Sequence, residues 1–131
     1  MKTKKITRFE DIESWKLARK QAERIWELSN HGSFVVDKSL YWQINRAIGS
    51  VMDNIAEGFG RGGAREFINF LTIARASNDE VRSQLYRALD RDHISRQDFE
   101  QLSRLSCTTG TKITNFITYL QGAEIKGIKF R

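Results

Sequence analysis

The chain has 131 residues, of which 40% are hydrophobic and 29% are charged, and its single cysteine is Cys107. This is the size and composition of one soluble globular domain, and it excludes a disordered chain, a membrane-spanning protein and a disulfide-rich fold. The 22 basic and 16 acidic residues give a net charge of +6, which favours an acidic partner such as nucleic acid.

The ends of the chain differ in composition from its middle. The basic start MKTKKITRFED is not followed by an apolar segment, so we expect no signal peptide and a cytoplasmic protein. No internal repeat or composition shift divides the remainder. We therefore expect one domain over residues 1–131, with a basic N-terminal tail at 1–10 and a C-terminal tail at 122–131.

Two helices are predicted in the first half of the chain, which contains no proline. The first covers 11–30, where Trp15, Ala18, Ala22 and Ile25 follow helical spacing. The stretch NHGSF then interrupts the pattern. Asp37 or Ser39 can cap the second helix. The seam of that helix, meaning its core-facing row of residues, consists of Ile44, Ile48, Val51 and Ile55.

Two further helices are predicted in the second half. The third begins near Ala64, and its seam is Phe67, Leu71, Ala74, Asn78, Val81, Leu85 and Ala88. The fourth begins near Ser95, a capping residue with Asp98 three positions later, and its seam is Phe99, Leu102, Ser106, Thr109, Ile113, Phe116 and Leu120. Spacings of three and four with short connections predict an all-α fold, an antiparallel up-down-up-down four-helix bundle.

Two features of the last two helices are unusual. Asn78 and Thr109 lie on apolar seams at one predicted level, with Ile44 and Ala22 nearby, so we expect a polar layer in which Asn78 is hydrogen-bonded. The segment 105–121 carries Lys112 as its one charge. Because a surface helix normally has a charged outer face, we expect Ile117 and Tyr119, which lie off the seam, at a contact between subunits.

The stretch AEGFGRGG at 56–63 matches G-x-G-x-x-G, but a helix precedes it where a dinucleotide fold needs a strand. The glycines instead predict a turn, in which Gly58 or Gly60 ends the second helix with a left-handed residue and Gly62 and Gly63 reverse the chain. Arg61 and Arg65 flank this turn and could bind phosphate. The alternative is that Arg61 pairs with Glu57, one turn earlier.

Catalytic and metal sites find little support. The two histidines, His31 and His93, lie in predicted loops, and Cys107 lies within the fourth helix, where an inert thiol is expected. Glu57, beside Asn54 and Arg61, fits a structural cap and ion pair better than a metal ligand. We therefore expect no catalytic residue, no metal and no cofactor.

Residues 43–91, QINRAIGSVMDNIAEGFGRGGAREFINFLTIARASNDEVRSQLYRALD, resemble the small bundle proteins encoded in intervening sequences of large-subunit ribosomal RNA genes. The stretch WKLARKQAERIWEL is similar to the first helix of that family. The family includes the accessory variability determinant of diversity-generating retroelements. The resemblance implies a basic homopentameric ring. For the retroelement members it also implies association with a reverse transcriptase and nucleic acid.

Two functions from different classes remain open at this point. One is a nucleic-acid-binding homo-oligomer, and the other is a protein-interaction scaffold whose positive charge is incidental. For the first, we expect RNA or DNA at the end of the bundle where both chain termini meet the glycine turn. The residues predicted to bind phosphate there are Lys4, Lys5, Arg8, Arg61, Arg65, Lys126, Lys129 and Arg131.

Overall fold

The computed structural model describes residues 6–125, with side chains for 6–123. Five α-helices follow one another after a short 3-10 turn at Phe9–Asp11, and no strand occurs between residues 6 and 125. The helices are α1 (Glu13–Ser29), α2 (Gly32–Val36), α3 (Lys38–Gly60), α4 (Ala64–Asp90) and α5 (Arg96–Ile125). The four predicted helices correspond to α1, α3, α4 and α5.

The four long helices form a closed ring of neighbours. α1 packs against α3 and α5, and α4 packs against the same two helices. Contacts between α3 and α4 show their opposite directions: Asp37, just before α3, bonds Arg91, just after α4, and the hydroxyls of Ser50 and Ser77 share a hydrogen bond near mid-helix. The fold is thus the predicted all-α bundle with neighbouring helices antiparallel.

The predicted seams form the core. Ile44, Ile48, Val51 and Ile55 of α3 are each at most 2% exposed. Phe67, Leu71 and Ala74 of α4 are fully buried, as is Ile113 of α5. Burial of each large aliphatic or aromatic side chain contributes about 1.5–3 kcal/mol to the stability of the fold. These buried rows therefore account for the association of the helices.

The NHGSF interruption contains a helix that the sequence pattern did not predict. Gly32 has a φ of +57°, and the five-residue helix α2 begins there. Its Phe34 is 1% exposed and stacks on His93, with ring centroids 5.1 Å apart. Five residues are too few to show a helical periodicity, so the sequence pattern could not predict α2.

Asp37 holds together the end of the bundle at which α3 begins. Its carboxylate accepts hydrogen bonds from Arg91 and from Nε2 of His93, both at 2.8 Å, and from the amide of Leu40 at 3.5 Å. His93 also shares a 2.8 Å hydrogen bond with Ser33. The bonds from His93 and Arg91 lower the pKa of Asp37 to about 2. The predicted cap therefore also ties α2 and the α4–α5 connection to α3.

The expected polar layer crosses the middle of the core. Asn78 and Thr109 are 0% exposed, and Nδ2 of Asn78 donates to the carbonyl of Ser106 at 2.9 Å. The contribution from α1 is Gln21, the neighbour of Ala22, which the sequence pattern did not identify: its Nε2 lies 2.8 Å from Oγ1 of Thr109 and 3.2 Å from Oδ1 of Asn78. Three helices thus meet in one hydrogen-bonded cluster, and Asn78 is hydrogen-bonded as predicted.

Candidate nucleic-acid interface

The turn between α3 and α4 differs in detail from the prediction. Gly58 and Gly60 both lie inside α3, and the left-handed residue is Gly62, with a φ of +81°. The assignment of Gly58 or Gly60 to the left-handed position was therefore wrong. The amides of Arg61 and Gly62 bond the carbonyls of Gly58 and Phe59, so a tighter final turn carries the chain two residues further before it reverses.

Gly58 is required by packing rather than by backbone conformation. A methyl group at this position would lie 2.6 Å from Cβ of Phe70 and 2.8 Å from Cδ1 of Phe67, both on α4. At Gly60 the same methyl group would meet no atom within 4 Å. Gly58 thus lets the end of α3 approach the start of α4 closely, with Arg61 and Arg65 on either side of the narrow turn between them.

Arg61 is held by carboxylates of its own chain. Its guanidinium donates to Glu57 at 2.8 Å, lies 4.0 Å from Glu66, and sits 5.1 Å from the ring centroid of Phe70. The hydrogen bond that Arg61 donates to Glu57 raises the pKa of Arg61 above its ordinary value. The pairing of Arg61 with Glu57, left open by the sequence, is present. Asn54 lies one turn earlier and bonds the carbonyl of Ser50 at 2.8 Å, so it caps neither helix end.

The N-terminal side of the same end shows a similar balance. Nε of Arg8 donates to Asp11 at 3.4 Å across the 3-10 turn, and the Arg8 side chain is 64% exposed. Arg65 is exposed in the first turn of α4. The other predicted phosphate contacts, Lys4, Lys5, Lys126, Lys129 and Arg131, lie outside the described residues.

The positive charge of the chain is concentrated at its two ends. Residues 6–123 contain 16 basic and 15 acidic side chains, so five of the six net charges belong to 1–5 and 124–131. α1 begins and α5 finishes at one end of the antiparallel bundle, beside the turn that carries Gly62. We call this end, at which α1 begins and α5 finishes beside the 58–65 turn, the basic pole. The helices themselves are close to electroneutral.

The outer face of α5 corrects one part of the interface prediction. Ile117 is 6% exposed and lies in the core of its own chain, so it belongs to the buried seam and offers almost no surface to a second subunit. Tyr119 is 61% exposed, as a surface contact requires. The hydroxyls of Thr108 and Thr118 donate to carbonyls one turn earlier. These bonds let a helix face without charges remain in water.

Two other kinds of feature are absent from the described residues, a metal site and a membrane span. Among residues 6–123, no group of three or more histidine, cysteine or carboxylate side chains is placed to hold a metal ion. Within the described part of the chain, every helix is too short or too polar to span a bilayer.

Comparison with known proteins identifies the family. The model of the 23S rRNA-intervening sequence protein family matches residues 10–115. A crystal structure of a protein of unknown function from the S23 ribosomal protein family of Bacteroides thetaiotaomicron is similar in fold, with a TM-score of 0.70 and 24% sequence identity. The similarity covers 79% of this chain and 97% of that one. No curated protein matches significantly. The chain belongs to the 23S rRNA-intervening sequence protein family.

Proposed function

We propose that the protein is a non-enzymatic homo-oligomer that binds RNA or DNA through phosphate contacts at the basic pole. The observation that carries this proposal is the charge partition: five of six net positive charges belong to 1–5 and 124–131, and the described residues that border these two segments, 6 and 123, lie at the same end of the bundle. A pentamer, which the family resemblance implies, would present that charge five times on one assembly.

The physical basis is the release of condensed counterions. Each phosphate neutralised by a lysine or arginine releases about 0.9 cation from duplex DNA, or about 0.7 from a single strand, so affinity falls steeply as salt rises. Contacts of this kind position a nucleic acid without reading its bases. The chain ends are rich in lysine and arginine, which favours binding that depends on salt more than on sequence.

The ion pairs at the turn rank the contributions of the basic residues. Arg61 must exchange Glu57 and Glu66 for a phosphate, and Arg8 must exchange Asp11, so the gain from each is reduced by the lost pair. In residues 1–5 there is no acidic residue, and 124–131 contain Glu124 alone. The lysines of the chain ends are therefore expected to contribute more than the two arginines.

The test compares two sets of four substitutions. In the first, Lys4, Lys5, Lys126 and Lys129 are replaced by glutamine. In the control, Lys20, Lys38, Arg96 and Arg104, all exposed elsewhere on the bundle, are replaced in the same way. Both variants lose four charges per chain, so a difference between them reports position and not net charge.

Affinity for RNA and DNA is then titrated at several salt concentrations, with the oligomer checked by light scattering. The first variant should bind more weakly and lose up to about three units of salt slope per chain on single strands, while the control keeps most of the wild-type slope. Equal loss in both variants would contradict a localised basic pole, and absence of binding by the wild type would contradict the proposed function.

A further inference from the structure

The outer face between α3 and α4, far from the 58–65 turn, carries a groove of about 400 Å³ that the proposed phosphate contacts do not use. Trp42 forms one wall and is 67% exposed. Its neighbour Tyr41 contacts it edge to face at 5.4 Å and also contacts Trp26, which is 57% exposed. Exposed tryptophans of this kind are characteristic of binding surfaces, because each buries a large apolar area when a partner covers it.

The same groove contains polar groups that lack partners. Arg46 and Glu80 line it with opposite charges, and within residues 6–123 neither side chain makes an ion pair or a hydrogen bond. Gln84 also lines it, is 3% exposed, and its Oε1 has no hydrogen-bond partner among the described residues. Leaving a buried acceptor unpaired is unfavourable, so a donor supplied from outside the chain would be favoured at this position.

We infer that the groove between α3 and α4 is the surface on which a second copy of this chain docks, with Trp42 buried and Arg46 of one copy facing Glu80 of the next. This inference rests on the proposed homo-oligomer and names the contact that would build it. It differs from the α5 surface expected from the sequence, of which Ile117 is buried in its own chain and Tyr119 is exposed.

Charge favours a second copy over other occupants. Copies that carry +6 each repel one another, so their contact requires a surface without net positive charge. The groove has a cation on its α3 wall and an anion on its α4 wall, so the α3 side of one copy is complementary to the α4 side of the next, the head-to-tail contact that a ring requires. A nucleic acid would bring phosphates against Glu80, which opposes its binding here.

A charge-exchange experiment tests the contact. Self-association is measured by light scattering and sedimentation across a dilution series for Trp42→Ala, Arg46→Glu, Glu80→Arg and the double variant Arg46→Glu/Glu80→Arg. Each single variant should weaken self-association at least about tenfold. For the two charge reversals the reason is that close charge pairs at interfaces couple by more than about 1.4 kcal/mol, and for Trp42→Ala it is the loss of a buried aromatic anchor. The double variant restores opposite charges across the contact and should recover most of the loss. Tyr119→Ala should keep the wild-type mass.

Circular dichroism confirms that each variant is folded, and RNA binding is measured in parallel. An oligomeric wild type whose mass is unchanged by Trp42→Ala and Arg46→Glu would overturn the surface assignment and leave the proposed function standing. A monomeric wild type would overturn both. Variants that keep the oligomer but lose RNA binding would identify the groove as a nucleic-acid surface and overturn the inference.

Discussion

The amide of Gln21 donates to the hydroxyl of Thr109 at 2.8 Å across the centre of the bundle, which joins α1 to α5 over 88 positions of sequence. The same nitrogen lies 3.2 Å from Oδ1 of Asn78 on α4. Apolar seams tolerate a shift of one helix along another, whereas a buried amide does not, because the shift leaves its donors unsatisfied. We therefore infer that this cluster fixes the register of α1, α4 and α5, that is, their positions along one another.

Replacing Asn78 with alanine should destabilise the protein by about 1–3 kcal/mol, because Gln21 loses one acceptor and the carbonyl of Ser106 loses its side-chain donor. Urea unfolding measures the change. Asn69→Ala, an exposed amide on the same helix, serves as the control and should change stability by about 0.5 kcal/mol at most. A loss at Asn78 no larger than that at Asn69 would contradict the assigned role.

Two glycines of α3 should respond in opposite directions to alanine. At Gly58 the new methyl group meets Phe70 at 2.6 Å and should cost about 1–3 kcal/mol through overpacking. Gly49 lies in the same helix with no atom within 4 Å of such a methyl group. There, the higher helix propensity of alanine should stabilise the protein by up to about 1 kcal/mol. Thermal unfolding of both variants decides the matter, and stabilisation by Gly58→Ala would show that the close approach is absent.

Acid should weaken the end of the bundle that Asp37 holds. Its pKa is about 2 in the folded chain against an ordinary 3.8, so the carboxylate stabilises the fold fully above about pH 5 and this contribution disappears as the pH falls through 4 towards 2. The loss should amount to about 1–2 kcal/mol, allowing for partial exposure of the side chain.

Urea unfolding between pH 6 and pH 2 checks this for the wild type and for two variants. Asp37→Asn should be less stable than the wild type at pH 6 and should depend less on pH over the acid range. His93→Phe keeps a ring against Phe34 but removes the hydrogen bond to Asp37, so its dependence should be intermediate. Parallel curves for all three proteins would refute the coupling.

Cys107 provides a probe of which face is covered. Its side chain is exposed and lines a shallow groove between α4 and α5, together with Arg75 and Arg82. If copies meet on the α3–α4 groove, Cys107 should react with a thiol reagent at one rate in the wild-type oligomer and in dissociated Trp42→Ala. Protection of Cys107 in the oligomer alone would point to a contact on α5 instead.

The sequence predicted the architecture well because long periodic seams determine it. The seam residues from Ile44 to Ile55 in α3 and from Phe67 to Ala88 in α4 are buried, as their spacing indicates. Asn78 stands out as a polar residue among them. Gln21 was missed because a polar residue beside an apolar row looks like part of the solvated face until its partners on other helices are known. Gly62 was misplaced because the last turn of α3 tightens, which spacing cannot show.

The candidate site was less accessible to the same reasoning. Arg61 was recognised as basic, but its contact with Phe70 and its proximity to Glu66 depend on the close approach at Gly58. The sequence pattern did not identify Trp42 as a candidate binding residue, because it lies off the α3 seam among polar residues. Trp42 is 67% exposed and shares a groove with Arg46 and Glu80. That groove is formed by two helices packed side by side, so the pattern of a single helix cannot predict it.

The near-neutrality of residues 6–123 has an evolutionary consequence. Substitutions in 1–5 and 124–131 can raise, remove or reverse most of the net charge without altering any of the seam residues on which the four helices pack. Homologues can therefore diverge widely in isoelectric point while sharing one architecture. Selection for a new polyanionic or polycationic partner can act on these thirteen terminal positions, none of which is a seam residue.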